Sequence, residues 1–198
     1  MQDTNPNLAL LKSALRKEAL ARRNAAEPAL REAFATRLAL AGVELARKSI
    51  VRSVAAFWPL PGEPDVRGLL AALNYHEFAS ALPVVVGPGH PLLFRKWAPR
   101  DLLLEGPYGI MQPSAHLPEI LPDIVFVPLA AFDRRGHRIG FGAGYYDRTL
   151  EALRAIKPVL AVGTAYSVQE VPAIPEEPHD QRLDLVITET EWINCRTD

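Results

Sequence analysis

Apolar Leu8, Leu11, Leu15 and Ala19 recur at three- and four-residue intervals, with Lys12, Arg16 and Arg22 or Arg23 at other angles. This period predicts an amphipathic helix from Leu8 to about Asn24. Pro28 suits the first turn of a second helix, where its missing N–H is no loss, and Leu30, Phe34, Leu38 and Val43 or Leu45 supply a buried stripe to about Lys48. Helical periods also run over Val66 to Phe78 and Tyr145 to Ile156. Other apolar segments are too short for helices. Ile50–Trp58 ends at Pro59 and reads as a strand, followed by the proline-stiffened loop Pro59-Leu-Pro-Gly-Glu-Pro-Asp65. Leu82–Val86 and Leu92–Trp97 read as strands around the turn Gly87-Pro-Gly-His-Pro91, and Asp123–Pro128, Val159–Val162 and Leu183–Ile187 as three more.

The unbroken apolar run Ile124-Val-Phe-Val127 is what a parallel strand covered on both faces requires. Strands and helices alternate through most of the chain, which predicts a three-layer α/β/α fold with a mostly parallel central sheet. No internal repeat, low-complexity tract or long linker interrupts it, so residues 1–198 are expected to form a single domain, with 18 prolines marking element boundaries.

Composition narrows the setting. A chain of 198 residues with 48% hydrophobic residues needs no disulfide or structural metal to hold a core. With 22 Lys and Arg against 23 Asp and Glu, the net charge of −1 offers no basic field for nucleic acid or an anionic membrane. Cys195 is the single cysteine, which excludes an intrachain disulfide and a multi-cysteine zinc site. Met1–Pro6 lacks the basic start and apolar run of a secretion signal, and the longest apolar stretch, Ile124 to Phe132, is too short to span a bilayer. The expectation is a cytoplasmic monomer with no nucleic-acid or membrane partner. The five histidines, His76, His90, His116, His137 and His179, show no zinc-ligand spacing.

Chemistry concentrates in Phe132-Asp-Arg-Arg-Gly-His-Arg-Ile-Gly-Phe-Gly-Ala-Gly-Tyr-Tyr-Asp-Arg148, after a buried strand and before a helix. Four of the 12 glycines, Gly136, Gly140, Gly142 and Gly144, lie here. Glycines let a ligand approach backbone N–H groups, and the helix start adds unpaired donors and partial positive charge, as in a phosphate cradle. Arg138 and Arg148 flank the glycines, and Asp147 is a hard oxygen donor suited to magnesium. The spacing Gly-x-Gly-x-Gly matches neither common nucleotide fingerprint, so on spacing alone a plain strand-to-helix turn explains it equally well.

Taken with other segments, the loop resembles the signature of the 5-formyltetrahydrofolate cyclo-ligase, or 5,10-methenyltetrahydrofolate synthetase, family. Lys12-Ser-Ala-Leu-Arg16 resembles the family's first-helix motif, and Pro61-Gly-Glu63 with Asp65 its substrate loop. Gly109-Ile-Met-Gln-Pro113 resembles a Gly-Ile-x-Glu-Pro turn, and Gln169 through Pro178-His-Asp180 to Asp184 the closing segment.

The resemblance implies a fold similar to sugar-phosphate isomerases and CoA transferases. It also implies ATP- and magnesium-dependent closure of 5-formyltetrahydrofolate to 5,10-methenyltetrahydrofolate. Carried over by position, it makes Lys12, Arg16, Arg138, Gly140, Gly142, Gly144 and Tyr146 the ATP site, with Arg138 the principal charge. It gives Trp58, Glu63 and Tyr145 to the folate, Arg138 and Tyr145 to catalysis, and Asp147 and Asp180 to magnesium. Two positions depart from the pattern: Gln112 stands where glutamate is commoner, and Phe141 replaces a basic residue seen in some members. Two other readings stay open at this point, a sugar-phosphate isomerase using the same loop without ATP, and a folate-binding protein without turnover.

Overall fold

The computed structural model describes residues 6–196, so the reading of the amino terminus falls, over residues 1–5, outside the described residues. Helices α1 (Pro6–Asn24) and α2 (Pro28–Lys48) precede β1 (Ser53–Ala55), α3 (Arg67–Tyr75), β2 (Ala79–Val84) and β3 (Leu93–Lys96). A hairpin of β4 (Leu103–Glu105) and β5 (Met111–Pro113) leads to β6 (Ile124–Pro128). The short pair β7 (Ala131–Phe132) and β8 (Arg138–Ile139) precedes α4 (Tyr145–Ile156), and β9 (Leu160–Thr164), β10 (Leu185–Ile187) and β11 (Trp192–Asn194) end the chain.

Seven strands form one sheet in the order β11-β10-β9-β6-β1-β2-β3. Its interior pairs are parallel, with Val54 opposite Ser80 and Ile124, and Val125 opposite Ala161. The edges β3 and β11 run antiparallel, so the expected mostly parallel sheet is present.

Both faces of the sheet are buried because successive side chains alternate sides. Val54, Leu82, Ile124 and Phe126 pack with Phe34 and Leu38 of α2 and Leu69, Leu70 and Leu73 of α3. Ala55, Ala81, Val125 and Val127 turn the other way, toward Leu150 and Leu153 of α4. Each fully buried aliphatic side chain contributes about 1.5–3 kcal/mol, so these two layers hold the sheet between them. Helix α1 lies apart, its Ala19 packed with Ala131 of β7 and Ile139 of β8.

The strand predicted over Ile50–Trp58 shortens to Ser53–Ala55, because after Ala55 the chain leaves the sheet toward the Pro59 loop. Strand β11 and the β4–β5 hairpin carried no usable period, since three-residue strands show too few alternations.

From β1 the chain moves one way through α3 to β2, and from β6 the opposite way through α4 to β9. Neighbouring strands that part in this manner leave a crevice beyond their carboxyl ends, the usual ligand position in open α/β sheets. The Pro59–Asp65 loop leaves β1 there, and the glycine loop follows β6.

Candidate active site

A cleft of about 470 Å³ opens at this point of divergence. Every residue given a site role by the family resemblance lines it, namely Lys12, Arg16, Trp58, Glu63, Arg138, Gly140, Gly142, Gly144, Tyr145, Tyr146, Asp147 and Asp180, whereas Arg148, expected to flank the glycines, does not and donates to Ala143 O at 2.7 Å instead. These positions span α1, the loop after β1, the segment from β8 into α4, and the segment before β10.

The glycine loop is shaped by backbone that side chains resist. Gly142 has φ +97°, and Gly144, at φ +66°, is the N-cap of α4. No side chain caps that helix, so its first N–H groups remain available to an anion, with the macrodipole in support. Arg16 Nε donates to Gly140 O at 2.7 Å and ties α1 to the loop.

Arg138 and Asp147 sit beneath. Arg138 Nη2 donates to Asp147 Oδ1 at 2.7 Å, its Nη1 donates to Gln181 O, and the Gln181 N–H reaches the same Asp147 oxygen at 3.0 Å. The Arg138 side chain is 4% exposed. Burial lowers its pKa, and the adjoining Asp147 only partly offsets this. Arg138 therefore braces the loop against the closing segment as well as lining the cleft, a wider role than the phosphate contact expected of it.

Lys12 Nζ lies 2.6 Å from Asp180 Oδ2 and 2.8 Å from Glu177 Oε2. Burial works against its ammonium, but these hydrogen bonds outweigh it and its pKa is raised. Ligand atoms of Glu177, His179 and Asp180 lie within 4.8 Å of one another, a set with two hard carboxylates suited to a magnesium-like cation. Asp180, expected to share a metal with Asp147, thus has Glu177 and His179 as close companions. Asp147 Oδ1 is engaged with Arg138. Glu177 was not named from sequence and His179 was given no role, although the run Glu177-Pro-His-Asp180 was legible as a dense donor cluster.

At the other end, Glu63 is buried, and burial pushes its carboxyl up to about 7 against the pull of the Leu60 N–H and Arg23. Leu60 N–H donates to Glu63 Oε2 at 2.8 Å. Tyr146, assigned from sequence to the nucleotide, feels Glu63 as its strongest neighbouring charge, and burial pushes its phenol well above the usual range. Trp58 packs edge-on against Trp97 with centroids 5.7 Å apart, leaving part of its ring to the cleft.

Tyr145 faces Tyr108, hydroxyl to hydroxyl at 3.5 Å. Tyr108 arrives from the tip of the β4–β5 hairpin at φ +63°, a left-handed backbone rare for an aromatic residue. Sequence gave no sign that this turn crosses to the cleft.

A model of the 5-formyltetrahydrofolate cyclo-ligase family matches residues 10–189. The chain belongs to that family. The cyclo-ligase of Mycolicibacterium smegmatis is 35% identical over 89% of this chain and 93% of its own. That of Haemophilus influenzae is 34% identical over 67% of this chain and 73% of its own. An NMR structure of 5,10-methenyltetrahydrofolate synthetase from Aquifex aeolicus superposes with a TM-score of 0.79 at 31% identity, covering 95% of this chain and 94% of that one.

Both departures from the cyclo-ligase pattern have a structural account. Gln112 Oε1 accepts from Val85 N–H at 3.2 Å, so its amide docks the hairpin on the end of β2. Phe141 lines the cleft, and its ring lies 5.8 Å from the Arg23 guanidinium, so a cation stands behind this position.

Proposed function

We propose that this cyclo-ligase converts 5-formyltetrahydrofolate to 5,10-methenyltetrahydrofolate at the cleft between β1 and β6, consuming ATP and releasing ADP and phosphate. The observation that carries this reading is the convergence of a glycine loop with open backbone donors, a cationic α1 face and a buried Glu63 on one cavity.

The formyl oxygen is a poor leaving group. In the first step it attacks the terminal phosphorus of ATP, the bond to the bridging oxygen breaks, and ADP leaves. In the second, N10 of the folate attacks the activated carbon, phosphate departs with that oxygen, and the N10 proton is lost. Such a reaction needs positioning and charge neutralisation more than a protein nucleophile. Lys12, Arg16 and the N–H groups around Gly142 and Gly144 supply cation and donors for the phosphates. The Tyr145 hydroxyl donates to the formyl oxygen as charge develops, and Glu63 accepts from the amino-pyrimidine edge of the pterin. Trp58 gives the pterin a flat wall.

Magnesium would be held by the clustered carboxylates of Asp180 and Glu177, with Asp147 the further oxygen donor that the family resemblance implies, and it would neutralise phosphate charge. The sequence expectations of a single-domain, cytoplasmic monomer remain part of this reading.

The test mixes purified protein, 5-formyltetrahydrofolate, ATP and magnesium, and follows methenyltetrahydrofolate absorbance with phosphate release. Equal amounts of both products, dependent on ATP, are expected. Binding of both ligands without turnover would overturn the reading.

A further inference from the structure

Arg23 takes no part in the chemistry above, yet it is 6% exposed, near the end of α1 behind the wall of the cleft. Its Nη2 donates to Pro61 O at 3.3 Å, two residues before Glu63. Nε and Nη2 both reach Asn24 Oδ1 at 3.4 Å, and Nη1 is buried with no hydrogen-bond partner among the described residues. The Phe141 ring lies beside the same guanidinium. An added Cβ on Gly62 would stand 3.1 Å from Arg23 Nη2, so the substrate turn is pressed against this side chain. One residue therefore touches the substrate loop and the glycine loop from behind.

Burying a guanidinium with an unmade hydrogen bond is costly. A neutral donor would tether the Pro61 carbonyl as well. What the charge adds is an electric field, and the carboxylate it attracts most strongly is Glu63. Besides burial, two groups act on Glu63, Arg23 from α1 and the Leu60 N–H of its own loop, while the neutral Tyr146 phenol of α4 feels the Glu63 charge in turn. Arg23 is the cation among them. A buried acid favours its neutral form, and a nearby cation favours the ionised one.

We propose that Arg23 is a positioning residue for folate: without touching the substrate, it fixes the Pro61–Glu63 turn and favours the ionised Glu63 that accepts the pterin's hydrogen bonds. The inference rests on the folate reading of the cleft.

The test uses Arg23→Gln, which keeps a donor and removes the charge, Arg23→Met as a second neutral variant should the first lose its fold, and Arg23→Lys, which keeps the charge. KM and kcat for both substrates are followed from about pH 6 to about pH 9, with Tm alongside. The neutral variants are expected to raise KM for 5-formyltetrahydrofolate about tenfold near neutrality and to move the midpoint of its pH dependence up by about one unit. KM for ATP changes less. Arg23→Lys restores the midpoint, and in a Glu63→Gln background the charge of residue 23 no longer matters to the pH profile. A folded neutral variant with an unmoved midpoint overturns the proposal, even if Tm has fallen. Wild-type protein without turnover at any pH would instead sink the folate reading itself.

Discussion

Lys12 of α1 and Asp180 of the closing segment are 168 positions apart and meet in an ion pair of 2.6 Å. Glu177 joins the same ammonium, so one lysine holds two carboxylates at the edge of the cleft. Removing it leaves two like charges facing each other and takes a cation from the end of the cleft proposed for ATP.

Lys12→Ala should therefore weaken ATP binding by about tenfold to a hundredfold, the loss of one charge-assisted contact. Calorimetric titration with ATP checks this, and an unchanged affinity would confine Lys12 to a structural tie. The linkage has a definite sign. Because its pKa is raised in the folded protein, the stabilisation is fully present below the unfolded value of 10.5 and is lost as pH rises through the higher folded value.

Arg138→Ala should destabilise the fold by about 3 kcal/mol, because it strands Asp147 and the Gln181 carbonyl behind the loop. Urea unfolding should show a lower midpoint at unchanged slope. Arg138→Lys keeps the charge and should recover part of that loss. A wild-type midpoint for Arg138→Ala would contradict the bracing role.

Glu63→Gln should trade affinity for stability. Burial raises the carboxyl from 4.5 to about 7, so the folded state binds more protons and apo stability falls as pH rises between those values. The penalty is on the order of 3 kcal/mol above pH 7. The substitution should raise Tm at alkaline pH and weaken 5-formyltetrahydrofolate binding. In the parent protein that affinity should decline as pH drops below about 7. A Tm that falls at alkaline pH would show that the carboxylate is better satisfied than its burial implies.

Tyr145→Phe removes the hydroxyl that faces Tyr108 and should lower kcat about tenfold or more with ATP affinity near wild type, as expected for loss of a donor used in the transition state. Single-turnover kinetics separate this step from product release. Unchanged kcat would remove the role.

Gly140 and Gly136 give a paired test of the glycine loop. A Cβ on Gly140 meets nothing within 4 Å, whereas one on Gly136 comes 2.5 Å from Leu183 O at φ +86°. Gly140→Ala should fold with an unaltered Tm and weaken ATP binding if the phosphates approach that backbone. Gly136→Ala should lose stability before ligand is considered. Thermal shifts with and without ATP distinguish the two.

The four helices were readable because each carries enough turns to repeat its stripe, and α2 and α4 end at the residues the period indicated. Interior strands such as Ile124–Pro128 were readable because burial on both faces leaves no polar break. That Arg138, Asp147 and the glycines would line one candidate site was readable because they lie together in sequence. Tyr108 and Glu177 were not singled out and His179 and Arg23 were given no site role, since each acquires meaning from a partner far along the chain.

By itself, then, the order of residues determined the α/β alternation, the covered sheet and a glycine-rich loop leading into α4. These depend on local period and backbone freedom. Tertiary structure decided which charges remain available. It placed Arg138 behind the loop, set Lys12 across Glu177 and Asp180, and enclosed Glu63 where its carboxyl rises to about 7. Coulomb energy and desolvation depend on distance and burial through space, and neither is written in the spacing of residues along a chain.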